Sequence, residues 1–274
     1  MNMFAHLPSF AIEFVRLCIW LMLLLAIFVP LERLFSVHPQ KVFRAHFSTD
    51  LVYYFLSSLL PKLLLVLPMA SIGWVLHAIL PTGLHQRVAA LPFAVRLIAA
   101  LIVGEVGFYW GHRWTHQIPF LWKFHAIHHS AKHMDWLVNT RAHPLDMVFT
   151  RLCGFIPMYV LGLAQPVANT IDTVPLLFLL AGTLWGFYVH SNIAWRFGPL
   201  EWLLTTPSFH HWHHTLDGPI NRNYASMLPW LDRLFGTFHP FHKEWPAHYG
   251  IEDFQPAGIT DQLLNPILPA KPIN

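Results

Sequence analysis

Long apolar runs set the organisation of this chain. Residues 10–29, 51–80 and 93–110 each approach or exceed the ~20 residues that a helix needs to cross a bilayer. A fourth region, 147–189, is long enough for a helical hairpin. The pattern predicts an all-α, polytopic membrane protein with about four to five transmembrane helices. Pro30 marks the predicted exit of the first run, and residues 31–47 read as an amphipathic connection lying on the membrane surface. Ser48, Thr49 and Asp50 offer an N-cap for the second run. Pro61 and Pro68 leave that run open as one kinked span or a re-entrant hairpin. The third run passes into Gly111 and His112 without a breaker, so one helix is expected to leave the bilayer carrying His112 and His116, until Pro119 ends it. Residues 120–134 and 208–215 read as further helices, and His143 before Pro144 as extended. From Leu216 onward the chain turns polar and irregular, with a Pro-rich tail.

Composition supports the membrane assignment. Of 274 residues 55% are hydrophobic and 11% charged, against roughly 25% charged in soluble proteins. The opening MNMFAHLPSF has no basic n-region and is not expected to be a removable signal peptide. A net charge of +3 does not point to nucleic acid; the distribution of the cations matters more. Arg33, Lys41 and Arg44 follow the first run, and only Arg87 lies between the second and third. Arg113, Lys123, Lys132 and Arg141 surround the central histidines, and Arg196, Arg222, Arg233 and Lys243 the later ones. By the positive-inside rule both basic regions, and every histidine group, belong on the cytoplasmic side of a multi-pass protein, with a bacterial inner membrane expected. Glu13 and Arg16 share a helix face and are expected to pair. Cys18 and Cys153 read as small buried hydrophobes.

The chemistry lies in the histidines. His112/His116, His125/His128/His129 and His210/His213/His214 have helical spacings that aim each group in one direction, and His143 and His190 stand nearby. Neutral imidazole binds iron, zinc, copper and nickel. Ten candidates are too many for one metal and suit two, with about five each. No carboxylate occupies a ligand position, although Glu105 and Asp146 lie close enough in sequence to orient ligands. Arg113 follows His112 where a zinc protease would place glutamate, so hydrolysis loses its base. The remaining histidines, His133 among them, read as surface or capping residues. The alternative to an enzyme is a histidine-rich membrane protein for transition-metal transport or storage, which would string its donors along the spans.

The motifs HRWTH, HAIHH and HHWHH, with LWKFHAIHHS, NTRAHPLD, HSN and NYASMLPWLDRLFGTF, resemble the membrane fatty acid hydroxylase/sterol desaturase superfamily over roughly residues 100–240. The resemblance implies N-terminal transmembrane helices over 1–92, a catalytic region over 93–245 with a cytosolic histidine-rich helical cap, and an irregular tail over 246–274. It implies two iron ions held by His112, His116, His125, His128, His129, His210, His213 and His214, with His143 and His190 as additional ligands. O2 is then the co-substrate, a lipid the substrate, and the product a hydroxylated or desaturated lipid. Electrons come ultimately from NAD(P)H through a separate donor protein of ferredoxin or cytochrome type. Two positions depart from the family pattern: His211 stands where a basic residue such as arginine is expected, and Ala225 where glycine is expected.

Overall fold

The computed structural model describes residues 8–164, 173–240, 244–252 and 255–268. Its elements are α-helical, with no β-strand among the described residues. Among the described residues, four helices are long and apolar enough to cross a membrane: α1 (Ser9–Leu34), α2 (Phe47–Ile79), α4 (Phe93–Gln117) and α7 (Thr173–His190). A short helix α3 (Thr82–Ala89) joins α2 to α4. Helix α6 (Pro144–Val160) has 17 residues, or about 25 Å at 1.5 Å per residue, and forms the outward limb of the α6/α7 hairpin. The proposed turn at Gln165, Pro166 and Asp172 lies outside the described residues. Side chains such as Met22, Leu63, Leu67 and Trp74 point away from the protein on α1 and α2, the surface that a hydrocarbon environment requires.

Several local expectations are corrected. Helix α1 runs through Pro30 to Leu34. Helix α2 is one continuous 33-residue helix containing Pro61 and Pro68, so the re-entrant hairpin is excluded. Asp50 does not cap α2; it sits in the first turn and is buried, pairing with Arg44 and Arg141. Glu13 pairs with Arg16 at 2.6 Å, as expected, and also with Lys62 of α2 at 3.2 Å. The helix predicted over 120–134 ends earlier: α5 is Pro119–His129, and Asp135 then caps a 3₁₀ turn, Trp136–Thr140. The tail, expected to be irregular, contains α10 (Ile259–Leu264), whose Gln262 accepts a hydrogen bond from Tyr53.

Helices α4 and α6 pack closely because glycines line their contact. A Cβ built on Gly107 would lie 2.0 Å from the Cys153 carbonyl oxygen, so only glycine admits this approach. The chain runs toward one end of the bundle along α1, α4 and α7, and away from it along α2 and α6. The C-terminus of α1 meets that of α7 where the Val37 N–H reaches Asn192, and the start of α2 meets Arg141 just before α6. The helices α5, α8 (Pro207–His213) and α9 (Trp230–Leu234) cover this same end.

Candidate metal centre

Each helix that brings histidines to the site does so with its final turns. His112 and His116 close α4, and His125, His128 and His129 close α5. His190 is the last residue of α7; His210 and His213 lie on α8, with His214 at its C-cap. Helix C-termini carry partial negative charge, so four of them converging favour a cation. The structure resolves these side chains into two adjoining groups. His112, His116, His125, His129 and His213 form one; His128, His190, His210 and His214 form the other. Within each group, one ring nitrogen per residue lies within 4.8 Å of every other. The groups touch where the rings of His129 and His214 stack at 4.3 Å.

For five of the nine rings, hydrogen bonds fix which nitrogen faces inward. Nδ1 of His112, His128, His190 and His213 contacts the backbone carbonyls of Tyr224, Arg141, Gly186 and Arg222 at 2.7–3.0 Å. A carbonyl only accepts, so each Nδ1 carries the proton and each Nε2 a lone pair. His125 likewise donates from Nδ1 to Asp146 at 3.0 Å. The Nε2 atoms of His128 and His190 then face each other at 3.1 Å with no proton between them. The His190–His210, His210–His214 and His125–His129 Nε2 pairs are 3.0, 3.1 and 3.2 Å apart. Nε2 of His116 and of His213 is buried without a hydrogen-bond partner. Converging lone pairs repel unless a cation lies among them. Two imidazole nitrogens about 2.1 Å from one ion, at right angles, are about 3.0 Å apart. The donor set therefore fits a metal. Burial, reinforced by the neighbouring imidazoles, holds His128, His129, His210, His213 and His214 well below the usual histidine pKa, in the neutral form that metals bind.

Nine of the ten sequence candidates are brought together, and His143 is not. Its Nδ1 accepts the Leu145 N–H at 3.1 Å, capping α6, and its Nε2 donates to the Leu263 carbonyl at 3.0 Å. With both nitrogens engaged, it has no lone pair to offer, and the groups hold five and four donors rather than five each. His211 is buried between Tyr249 and the Ser191 carbonyl, pushed down to about 3 by burial, and turned away from both groups. Of the two nearby carboxylates, Asp146 orients the His125 ring, while Glu105 instead accepts the Met227 N–H. Asp232 does not pair with Arg233. It takes hydrogen bonds from the Tyr224 and Ala225 N–H groups and Thr237, while Arg233 stacks on Trp202. Ala225 makes this contact without a positive φ, so the absent glycine costs the turn nothing. Sequence reasoning missed the backbone acceptors, which no residue type signals. The one local signal was the pair Asn221 and Asn223, both at positive φ, on the segment that presents the Arg222 and Tyr224 carbonyls.

The fatty acid hydroxylase family model matches residues 97–237, more than half the chain and all nine converging histidines. The chain belongs to the fatty acid hydroxylase family. An ornithine lipid hydroxylase of Rhizobium tropici is 36% identical over 179 residues, 64% of this chain and 51% of the relative. Alkylglycerol monooxygenase of Danio rerio is 33% identical over 137 residues, 50% of this chain and 29% of the relative. The Homo sapiens alkylglycerol monooxygenase is 30% identical over 164 residues, 59% and 35% respectively. The chain thus spans about half the length of the rhizobial hydroxylase and about a third of the monooxygenases. No solved structure matches it.

Proposed function

We propose that this family member hydroxylates an unactivated C–H position of a membrane lipid, using O2 and external electrons at a two-iron centre. His112, His116, His125, His129 and His213 hold one ion, and His128, His190, His210 and His214 the other. The single observation that carries this reading is the convergence of nine imidazoles in two groups, five of them held by outer acceptors with the Nε2 lone pair turned inward. When bound, the two irons would activate O2 for the reaction RH + O2 + 2 e⁻ + 2 H⁺ → ROH + H2O. The names of the relatives, hydroxylase and monooxygenase, favour this outcome over desaturation.

The protein's own contribution is position and exclusion of water. Carbonyls and Asp146 hold the Nδ1 protons outward, so that Nε2 remains free at neutral pH. An apolar cavity of about 200 Å³ opens between α4, α5 and α6, lined by Thr115, Phe120, Leu121, Phe124, Leu145, Asp146 and Phe149. An apolar lining of this kind favours a hydrocarbon chain over water, and Asp146 links it to His125. The lipid enters here from the bilayer. Exposed cations at the histidine end, Lys41, Lys123 and Arg222 among them, support a cytoplasmic site and a separate ferredoxin- or cytochrome-type donor drawing on NAD(P)H. The rhizobial relative supports a bacterial inner membrane and a polar membrane lipid as substrate. A transport path would string donors along the spans, whereas these gather at helix ends.

Metal analysis of the detergent-purified chain, coupled to oxygen uptake with a chemical reductant and a lipid extract, tests this reading. About two irons per chain, lipid-dependent uptake and a lipid mass gain of one oxygen are expected. One zinc, or no oxygen uptake after iron loading, overturns it.

A further inference from the structure

The N-terminal helices lie outside the 97–237 family match, yet one of them grips the backbone that holds a metal-binding histidine. His128 donates its Nδ1 proton to the carbonyl of Arg141 at 3.0 Å, so the position of that carbonyl sets the direction of His128 Nε2. Three consecutive residues around it are fastened to α2. Ser57 donates to the carbonyls of Thr140 and Ala142, at 2.8 and 3.2 Å. Thr140 donates in turn to the Asp50 carbonyl at 3.1 Å. The Arg141 guanidinium meets Asp50 at 2.5 Å.

Asp50 is itself held. It is fully buried and forms an ion pair with Arg44 at 2.8 Å. Arg44 also grips Asp135 through two hydrogen bonds, of 2.6 and 2.8 Å. Asp135 caps the 3₁₀ turn that leads directly to Arg141. Two buried cations and two buried carboxylates thus balance one another, and removing any of the four strands a charge. The Arg141 side chain is consumed in this set.

We infer that Asp50 and Ser57 are positioning residues for His128: they act through the Arg141 carbonyl to keep Nε2 of His128 aimed into the four-histidine group. The inference rests on the proposed metal centre. It predicts that α2, and not only the matched region, sets the affinity of one of the two ions.

The test is a chelator titration of the iron-loaded full chain in detergent, counting metal per chain, with wild type, Asp50→Asn, Ser57→Ala, His128→Ala and the double variant Asp50→Asn/His128→Ala. If wild type fails to hold two ions, the metal-centre reading itself fails, before any variant is compared. Given two ions in wild type, Asp50→Asn should loosen one of them about 10- to 100-fold and leave the other at wild-type strength. Ser57→Ala, a milder change that strands no charge, should loosen the same ion by a smaller factor. The double variant should loosen it no further than His128→Ala alone, because Asp50 acts through that ring. Three results overturn the inference: wild-type chelator resistance in both single variants, equal loosening of both ions in Ser57→Ala, or a double variant whose losses add.

Discussion

Gly107→Ala tests whether the close α4/α6 contact is what places the first two histidines. The new Cβ would stand 2.0 Å from the Cys153 carbonyl oxygen, 2.9 Å from its carbonyl carbon and 3.0 Å from Pro157 Cγ. The first two atoms belong to the backbone of α6, so no rotamer change relieves them. Real Cβ atoms keep at least 3.0 Å from such neighbours, so α4 must retreat from α6 by about 1 Å or more in an interior that packs without slack. Overpacking of this kind typically costs about 1–3 kcal/mol. The functional consequence is larger. His112 lies five residues further along the same helix, while ligand distances at a metal site tolerate only about ±0.2 Å. A helix displaced by several times that tolerance should lose the five-histidine ion even where the fold survives. The assay is thermal unfolding in detergent beside metal content per chain, with Gly182→Ala as the control, since a Cβ there meets nothing within 4 Å. Gly107→Ala should melt earlier and carry less metal, while Gly182→Ala should match wild type in both. A Gly107→Ala protein with full metal content and wild-type melting would refute the argument that this contact positions the site.

Three further outcomes can be measured. Asp146→Asn removes the carboxylate that accepts the His125 proton and should weaken retention of the five-histidine ion about 10- to 100-fold; chelator competition reads this, and unchanged retention would show that Asp146 serves only the cavity. Phe149→Trp narrows the apolar cavity and should raise KM for long-chain lipid while leaving metal content unchanged; an unaltered KM would place the chain elsewhere. Acidification should both release metal and destabilise the protein. Burial lowers the folded-state pKa of His128, His129, His210, His213 and His214, so below the unfolded value of about 6.5 the unfolded chain binds more protons and stability falls with pH. These histidines should therefore make the metal-free protein melt progressively earlier below about pH 6.5 and add no pH dependence above it; a melting temperature that rises on acidification below pH 6.5 would contradict the buried neutral imidazoles.

The sequence carried the parts of this molecule that depend on periodicity. Apolar length predicts the spans, and helical spacing predicts which imidazoles share a face, because both follow from local geometry. The fate of His143 was not legible. A histidine before proline looks the same whether it caps the next helix or binds a metal, and the choice depends on the Leu263 carbonyl, 120 residues away. Residues 51–80 were undecided for a related reason: Pro61 and Pro68 each remove one backbone donor, which a long helix absorbs when its neighbours hold it straight. The aspartate at position 50 read as a cap because Ser-Thr-Asp is a capping composition. Its actual partners, Arg44 and Arg141, are set by tertiary packing and outweigh that local preference.

What the fold adds to the motifs is a reason for their order. A cation site built from histidines needs lone pairs pointing inward, and five of the nine rings here have an acceptor outside that holds the opposite proton. In a bilayer-embedded helix the carbonyls are used internally, and free ones occur only at C-terminal ends and in the connections between helices. Gly186 lies in the last turns of α7, Arg141 immediately after the 3₁₀ turn, and Arg222 and Tyr224 in the connection beyond α8. The histidines therefore gather where helices end, because that is where an α-helical membrane protein has acceptors to spare. The same ends supply the negative pole of four helix dipoles, so the geometry that frees the acceptors also attracts the ion.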